Sequence, residues 1–227
     1  AMTTRVTFKS KTGSDISGEL ATPSGSDKAP AVVLIQEWWG VNDHIRDLAD
    51  RLAAEGFLVV APDLYHGKST KDPAEAGKLM SELDAGAAVD DIAGAVAYLK
   101  EHPRGNGKVG VIGFCMGGAL SFASACHVDG LSAVVPFYGI PPAEKVDYSK
   151  VTAPILAHVA KRDEWVTVPK AQEIKKQLDD RGHPMQLEIY DADHAFMNDT
   201  RPEVYDKANA KLAWDRTVAF LKKHLAA

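Results

Sequence analysis

The stretch KVGVIGFCMGGALSFASAC, residues 108–126, decides the fold because a short apolar strand runs through a sharp turn into an apolar helix. Its turn, GFCMG at residues 113–117, has the pattern G-x-S-x-G with Cys115 in the place of serine. A strand that reverses so abruptly strains its central residue, and side chains at the flanking glycines would collide with neighbouring backbone. We therefore predict that the Cys115 thiol stands at the C-terminal edge of a sheet, where the following helix favours a thiolate and a developing oxyanion. The alternative is a glycine-rich packing turn around a buried cysteine.

Apolar runs and helical patterns alternate on both sides of this stretch. Further strands are predicted at residues 4–9, 16–21, 31–35, 57–60, 131–137, 153–159 and 185–190. One helix is predicted to begin at a cap at residue 42 or 43 and to end at residue 55. Further helices are predicted at 72–83, 87–102, 168–181 and 203–225, and Leu212 is among the core positions of the last one. Because the connections are short and several strands are continuously apolar, we predict an α/β fold with a mostly parallel central sheet and helices on both faces.

Composition limits the classes of function. The chain has 227 residues, of which 45% are hydrophobic, so residues 1–227 are predicted to form a single domain around one large core. A net charge of −5 without a basic block argues against nucleic acid as a partner. No apolar stretch is long enough to cross a bilayer, and the N-terminus is polar, so we expect a cytoplasmic protein without a membrane partner or a signal peptide.

Cysteine and histidine spacing predicts neither a disulfide nor a metal site. Cys115 and Cys126 lie about three turns apart on the predicted helix, too far to bridge, which fits a reducing compartment. We expect Cys126 to be ordinary helix packing. No H-x-x-x-H or C-x-x-C spacing occurs, and we predict no metal and no cofactor.

A cysteine nucleophile requires a base, and the base requires a group that orients it. Asp163 follows the predicted strand 153–159, and His194 follows the predicted strand 185–190. The C-terminal ends of parallel strands meet at one edge of a sheet, so both side chains are candidates to reach Cys115. Nucleophile, acid and histidine occur in the chain order of the α/β-hydrolase fold. The alternatives to this pair are the seven other histidines and three neighbouring acidic residues, Glu164, Asp191 and Asp193.

Four segments together resemble the dienelactone hydrolase (carboxymethylenebutenolidase) family of the α/β-hydrolase superfamily. They are QEWWGVN at residues 36–42, APDLY at 61–65, GKVG at 107–110 leading into GFCMGGA at 113–119, and DHAF at 193–196. The ordered set is specific, and the resemblance extends over nearly the whole chain. It implies a single-domain α/β-hydrolase fold and a hydrolase that cleaves esters or lactones.

The resemblance also implies roles for individual residues. The nucleophile, its two partners and a carboxylate beside the thiol correspond to Cys115, His194, Asp163 and Glu37. The backbone N–H groups of Trp38 and Met116 correspond to the oxyanion hole. A carboxylate in an apolar setting is costly without a partner, so Glu37 could take the thiol proton; the alternative is a surface salt bridge. Of the adjacent tryptophans, we expect one in the core and one on a cleft wall.

Substrate recognition departs from the family pattern. Members that act on dienelactone hold its carboxylate with arginines, one of them four residues after the triad histidine, where this chain has Asn198. No arginine lies between Tyr65 and Ala87, and Arg201 or Arg162 could replace the clamp. We predict contacts with a small-molecule ester or lactone from four side chains, Trp39, Tyr138, Asn198 and Arg201.

A thiolate expels an alkoxide less readily than a serine alkoxide does, so the sequence favours activated esters or enol lactones as substrates. Dienelactone itself is expected to be disfavoured against neutral esters unless an arginine enters the site. Three alternatives remain: a thiol redox or electrophile-sensing protein, a thioesterase or acyltransferase, and a binding module without catalysis. We expect a monomer or a weak homodimer.

Overall fold

The computed structural model of the protein describes residues 2–227. The strands are β1 (Thr4–Lys9), β2 (Asp15–Ala21), β3 (Ala29–Ile35), β4 (Leu58–Pro62), β5 (Gly105–Phe114), β6 (Ala133–Phe137), β7 (Leu156–Ala160) and β8 (Gln186–Tyr190). The helices are α1 (Asp43–Ala54), α2 (Pro73–Glu82), α3 (Ala85–Glu101), α4 (Met116–His127), α5 (Val168–Asp180) and α6 (Lys207–Leu225). Two single 3₁₀ turns, Ala143–Lys145 and Tyr148–Lys150, occupy the connection between β6 and β7.

All eight strands form one sheet in the order β1-β2-β4-β3-β5-β6-β7-β8. β1 pairs antiparallel with β2, and β2 pairs antiparallel with β4, whereas every pair from β4 to β8 is parallel. The predicted fold class is therefore confirmed. Three of the parallel strands, β4, β6 and β7, are buried along their whole length, which explains why their sequences are so largely apolar.

Side-chain alternation along the strands divides the core into two layers. Val33 and Val111 face the layer that holds the apolar sides of α3 and α4, whereas Val32 and Ile112 face the layer that holds α1 and α6. Successive strand residues point to opposite faces, so each central strand contributes to both layers. No helix within residues 2–227 combines the length and the apolar character needed to cross a membrane.

The beginning of the C-terminal helix differs from the prediction. α6 begins at Lys207, not at 203, because the Asp206 side chain accepts a hydrogen bond from the Asn209 N–H and caps the helix there. Leu212, predicted to lie in the core, is 43% exposed. The buried stripe of α6 follows Ala210, Ala213, Trp214, Thr217, Val218 and Leu221 instead.

Candidate active site

Cys115 occupies the sharp turn between β5 and α4. Its backbone has φ 58° and ψ −116°, a strained conformation for a residue other than glycine. A Cβ at Gly113 would overlap the carbonyl of Gly117, and a Cβ at Gly117 would overlap the carbonyl of Ile35. The glycines are thus required by the close approach of neighbouring backbone, as the spacing predicts.

At the C-terminal edge of the sheet, His194 contacts Cys115 through one ring nitrogen and Asp163 through the other. His194 Nε2 is 3.1 Å from Cys115 Sγ, and His194 Nδ1 is 2.5 Å from Asp163 Oδ2. The other carboxylate oxygen of Asp163 accepts hydrogen bonds from the backbone N–H groups of Trp165 and Val166, each at 2.9 Å. Asp163 is buried, so these donors fix the orientation of its carboxylate toward the imidazole.

The environment of His194 favours its protonated form. Burial lowers the pKa of the imidazole, but the hydrogen bonds to Asp163 and Cys115 outweigh burial and raise that pKa to about 10. At neutral pH the ring therefore carries a proton beside the sulfur. An imidazolium in this position stabilises a thiolate and can later donate its proton to a departing oxygen.

An arginine joins the two loops that carry the acid and the histidine. Arg162 Nε lies 2.8 Å from an oxygen of Asp193, and its Nη1 lies 2.6 Å from an oxygen of Asp191. Its backbone N–H donates to the carbonyl of Ala192 at 3.1 Å. Arg162 lines the cleft and was a candidate to bind a substrate carboxylate. Two protein carboxylates already neutralise its guanidinium.

Glu37, just after β3, is buried with 2% of its surface exposed, which excludes a surface salt bridge. Its Oε1 accepts a hydrogen bond from Asn198 Nδ2 at 2.9 Å. Burial raises the pKa of Glu37 to about 7, although nearby positive charges and the Asn198 bond lower it. Within residues 2–227 its hydrogen bond is to Asn198 and not to Cys115, although Glu37 and Cys115 line the same cleft.

His44 is a buried neighbour of Glu37 that the sequence analysis did not single out. Its Nε2 lies 3.8 Å from Glu37 Oε1, and its Nδ1 lies 3.8 Å from Asp199 Oδ1. Burial lowers the pKa of His44 to about 4, so the ring is neutral at pH 7. The available signal was its position four residues before Leu48 and eight residues before Leu52, on the buried side of α1.

The two backbone N–H groups that the sequence analysis assigns to an oxyanion hole are unpaired within residues 2–227. Gly118 and Ala119 N–H groups donate to the carbonyl of Cys115 and close the first turn of α4. The N–H groups of Trp38 and Met116 have no acceptor within residues 2–227. Met116 is the first residue of α4, where the helix leaves N–H groups unpaired and contributes positive potential.

These groups lie in a cleft of about 600 Å³. Cys115 and His194 are among its lining residues, and its walls include six large apolar side chains: Trp38, Trp39, Met80, Ile140, Trp165 and Val204. The rings of the adjacent tryptophans meet edge to face, with centroids 5.3 Å apart. Trp39 is buried and Trp38 is half-buried, and both contribute to the cleft. Met80, Ile140 and Trp165 were missed because nothing in their local sequence marks a cleft.

Three of the four predicted substrate contacts lie on the cleft. Trp39 and Tyr138 line it, and the Arg201 guanidinium lies 5.5 Å from the Trp39 ring centroid while Arg201 Nε binds Glu203 at 3.0 Å. The structure does not place Asn198 on the cleft: the residue is 1% exposed, lies outside the cleft lining and donates a hydrogen bond from its amide to Glu37.

The competing histidines have other partners. His66 Nε2 lies 2.9 Å from Asp91 Oδ2, and His158 lies between the hydroxyls of Tyr190 and Thr217 at 2.8 and 2.9 Å. Within residues 2–227, no group of three or more histidine, cysteine, aspartate and glutamate side chains is arranged to hold a metal.

This sheet, with Cys115 at a strand–helix turn followed in the chain by Asp163 and His194, defines an α/β hydrolase. The chain belongs to the dienelactone hydrolase family, whose family model matches residues 16–225. It is therefore a carboxylic ester hydrolase, and the resemblance predicted from its motifs is confirmed.

The similarity to individual relatives extends over nearly the full length of this chain. The chain is 39% identical to Protein usf of Aquifex pyrophilus, over 95% of this chain and 96% of that protein. It is 30% identical to Carboxymethylenebutenolidase 1 of Cupriavidus pinatubonensis, over 95% of each chain. The crystal structure of the dienelactone hydrolase-like promiscuous phosphotriesterase P91 from metagenomic libraries, 22% identical, covers 100% of both chains with a TM-score of 0.86 and shares the fold.

Proposed function

We propose that the protein hydrolyses activated carboxylic esters or enol lactones through an acyl-enzyme on Cys115, with His194 and Asp163 completing a triad. One observation carries the proposal: the contacts from the sulfur to His194 and on to Asp163 begin at the floor of an apolar cleft. The distances suit proton transfer to and from a group bound there.

The reaction follows from the positions of the protons. When Cys115 is a neutral thiol beside imidazolium His194, ionised Glu37 takes the thiol proton and keeps it, which leaves the pair of thiolate and imidazolium that each later turnover regenerates. A carboxyl whose pKa is raised to about 7 by burial can accept this proton at neutral pH. The thiolate attacks the substrate carbonyl carbon, and the carbonyl electrons move to an oxygen held by the N–H groups of Trp38 and Met116. Collapse of the intermediate breaks the bond to the leaving oxygen, which receives the proton of imidazolium His194.

Deacylation reverses these roles. Neutral His194 removes a proton from water, and the hydroxide attacks the thioester carbonyl. Collapse then breaks the carbon–sulfur bond, releases the carboxylic acid and restores the pair of thiolate and imidazolium. Asp163, held by its two backbone donors, keeps the ring oriented through both half-reactions.

Proton transfer from His194 also limits which leaving groups the site can release. Asp163 holds the proton on His194 Nδ1, and the contact with Cys115 that also raises the pKa of His194 in the resting site is lost when the sulfur bonds to the acyl carbon. A phenolate or an enolate leaves with less protonation by His194 than an alkoxide requires. Activated esters and enol lactones are therefore the substrate class that this site suits best.

Arg201 is the group best placed to bind a substrate carboxylate. Arg162 is neutralised by two aspartates, and Asn198 is engaged with Glu37, whereas Arg201 uses only its Nε in a salt bridge with Glu203. The remaining guanidinium N–H groups of Arg201 can form charge-assisted hydrogen bonds at the cleft wall.

Trapping the acyl group tests the proposal. The protein and the variants Cys115→Ala and Cys126→Ala are incubated with phenyl acetate, and turnover and acylated peptides are measured by spectrophotometry and mass spectrometry. Cys126 is a matched control because it is the other cysteine and is buried in α4. We expect Cys115→Ala to lose turnover and acylation and Cys126→Ala to keep both. Turnover above a few per cent in Cys115→Ala, or an acyl group on Cys126, would contradict the proposal.

A further inference from the structure

The exposed apolar surface of the cleft is concentrated at one side chain. Trp165 is 72% exposed, and among the large apolar side chains of residues 2–227 only Met2 is more exposed. Met80, 41% exposed, lines the same cleft. A single exposed apolar residue is ordinary, but two at the mouth of one apolar cleft indicate a surface that a ligand covers.

The backbone of Trp165 is fixed although its ring is exposed. Its N–H donates to Asp163 Oδ1 at 2.9 Å, and its carbonyl lies 3.3 Å from Lys170 Nζ. Its ring packs edge-on against His194, with centroids 5.5 Å apart and planes at 75°. The backbone bonds and the contact with His194 place the ring beside the imidazole, so a ligand that contacts the ring need not first order the backbone of this loop.

The chemistry of the site determines which part of the substrate lies against Trp165. In the tetrahedral intermediate the oxyanion accepts hydrogen bonds from the N–H groups of Trp38 and Met116. The leaving oxygen lies at His194 Nε2, which gives it a proton. The apolar surface that adjoins His194 therefore contacts the leaving group, and the acyl chain extends to another wall of the cleft.

We propose that Trp165 is a specificity-determining residue that binds the leaving group of the substrate and selects leaving groups with an extended aromatic or conjugated surface. The inference rests on the proposed function, because it uses the position of the leaving oxygen at His194. Flat conjugated groups offer the most contact to an indole face, and stacking adds to the gain from burial. Phenolates and enolates of this kind are also the leaving groups that need the least protonation by His194.

Two pairs of esters separate the leaving group from the acyl group. Phenyl acetate and 2-naphthyl acetate have leaving groups of similar basicity and the same acyl group, so their ratio of kcat/KM reports contact with the extra ring. Burial of about 60 Å² of additional apolar surface corresponds to a preference of about tenfold for the naphthyl ester. Phenyl butyrate and phenyl acetate differ only in the acyl group, so their ratio of kcat/KM reports contact between the acyl chain and the other wall of the cleft.

We expect Trp165→Ala to bring the naphthyl-to-phenyl ratio close to one and to leave the butyrate-to-acetate ratio unchanged. Trp165→Phe should keep most of the naphthyl preference. Leu212→Ala, which changes an exposed apolar side chain of α6 outside the cleft lining, is the matched control and should change neither ratio.

Three results would overturn the inference: an unchanged naphthyl-to-phenyl ratio in Trp165→Ala, a change in the acyl ratio instead, or an equal loss for all substrates. The last would mean that Trp165 only positions Asp163. Cys115→Ala distinguishes the two proposals. If Cys115→Ala is inactive and Trp165→Ala keeps the wild-type ratios, only the inference about Trp165 fails; if Cys115→Ala remains active, the proposed function fails.

Discussion

Replacing Glu37 with glutamine should make the protein more stable at alkaline pH. Burial raises the pKa of this carboxyl from its ordinary value of 4.5 to about 7, so the folded protein holds a proton there that the unfolded chain releases. Stability is therefore fully present below pH 4.5 and falls as the pH rises through 7. Complete ionisation costs on the order of 3 kcal/mol, from 1.36 kcal/mol for each tenfold change in proton affinity.

Glutamine imitates the protonated carboxyl and can still accept the Asn198 hydrogen bond through its amide oxygen. We expect Glu37→Gln to raise the free energy of unfolding by less than about 1 kcal/mol at pH 5 and by about 3 kcal/mol at pH 8. Urea unfolding of both proteins between pH 5 and pH 8 measures this difference. Hydrolysis of phenyl acetate should fall at the same time, because the base that ionises the thiol is lost.

The matched control is Glu101→Gln, at an exposed position near the end of α3, which should change stability by less than about 0.5 kcal/mol at every pH. A difference between Glu37→Gln and wild type that does not grow between pH 5 and pH 8 would refute the reasoning. So would a glutamine variant that is less stable than wild type at pH 8.

Further predictions concern the triad, Asn198 and the substrate. His194→Ala should lower kcat by about 10³-fold or more and Asp163→Asn by less, and the double variant should lose little beyond His194→Ala; additive losses would mean that the two act separately. Asn198→Ala removes a donor from ionised Glu37, so the acid limb of the kcat/KM profile should move to higher pH; an unmoved limb contradicts this. Arg201→Ala should lower the ratio of kcat/KM for dienelactone to that for its neutral methyl ester by about tenfold, and an unchanged ratio excludes Arg201 as the carboxylate contact.

The fold could be predicted because each local pattern agreed with the global one. Continuous apolar runs belong to strands covered on both faces, and the glycines of the turn at 113–117 are required by backbone contacts. The predicted helix start at 203 was wrong because the apolar spacing extends to residues before the cap at Asp206. Leu212 was misplaced for a different reason: periodicity alone does not say which side of a long helix meets the sheet.

The candidate site was predictable where chain order determines position. Asp163 and His194 follow neighbouring parallel strands, so topology brings them together at the sheet edge. Trp165, Met80 and His44 have no such rule, since their positions depend on loop conformation and on contacts between distant segments. Asn198 was assigned to the substrate from its place after the histidine, but its amide turns inward to Glu37.

The side chain at position 198 gives the buried carboxylate of Glu37 a neutral hydrogen-bond donor and not a charge. Burial outweighs this bond and the positive charges of His194 and Arg201, and it raises the pKa of the carboxyl to about 7. Glu37 can then gain and lose a proton near neutral pH, as the base that we propose for Cys115 must. The positive charge stands instead at Arg201 on the cleft wall, where it can contact substrate without a direct bond to the base.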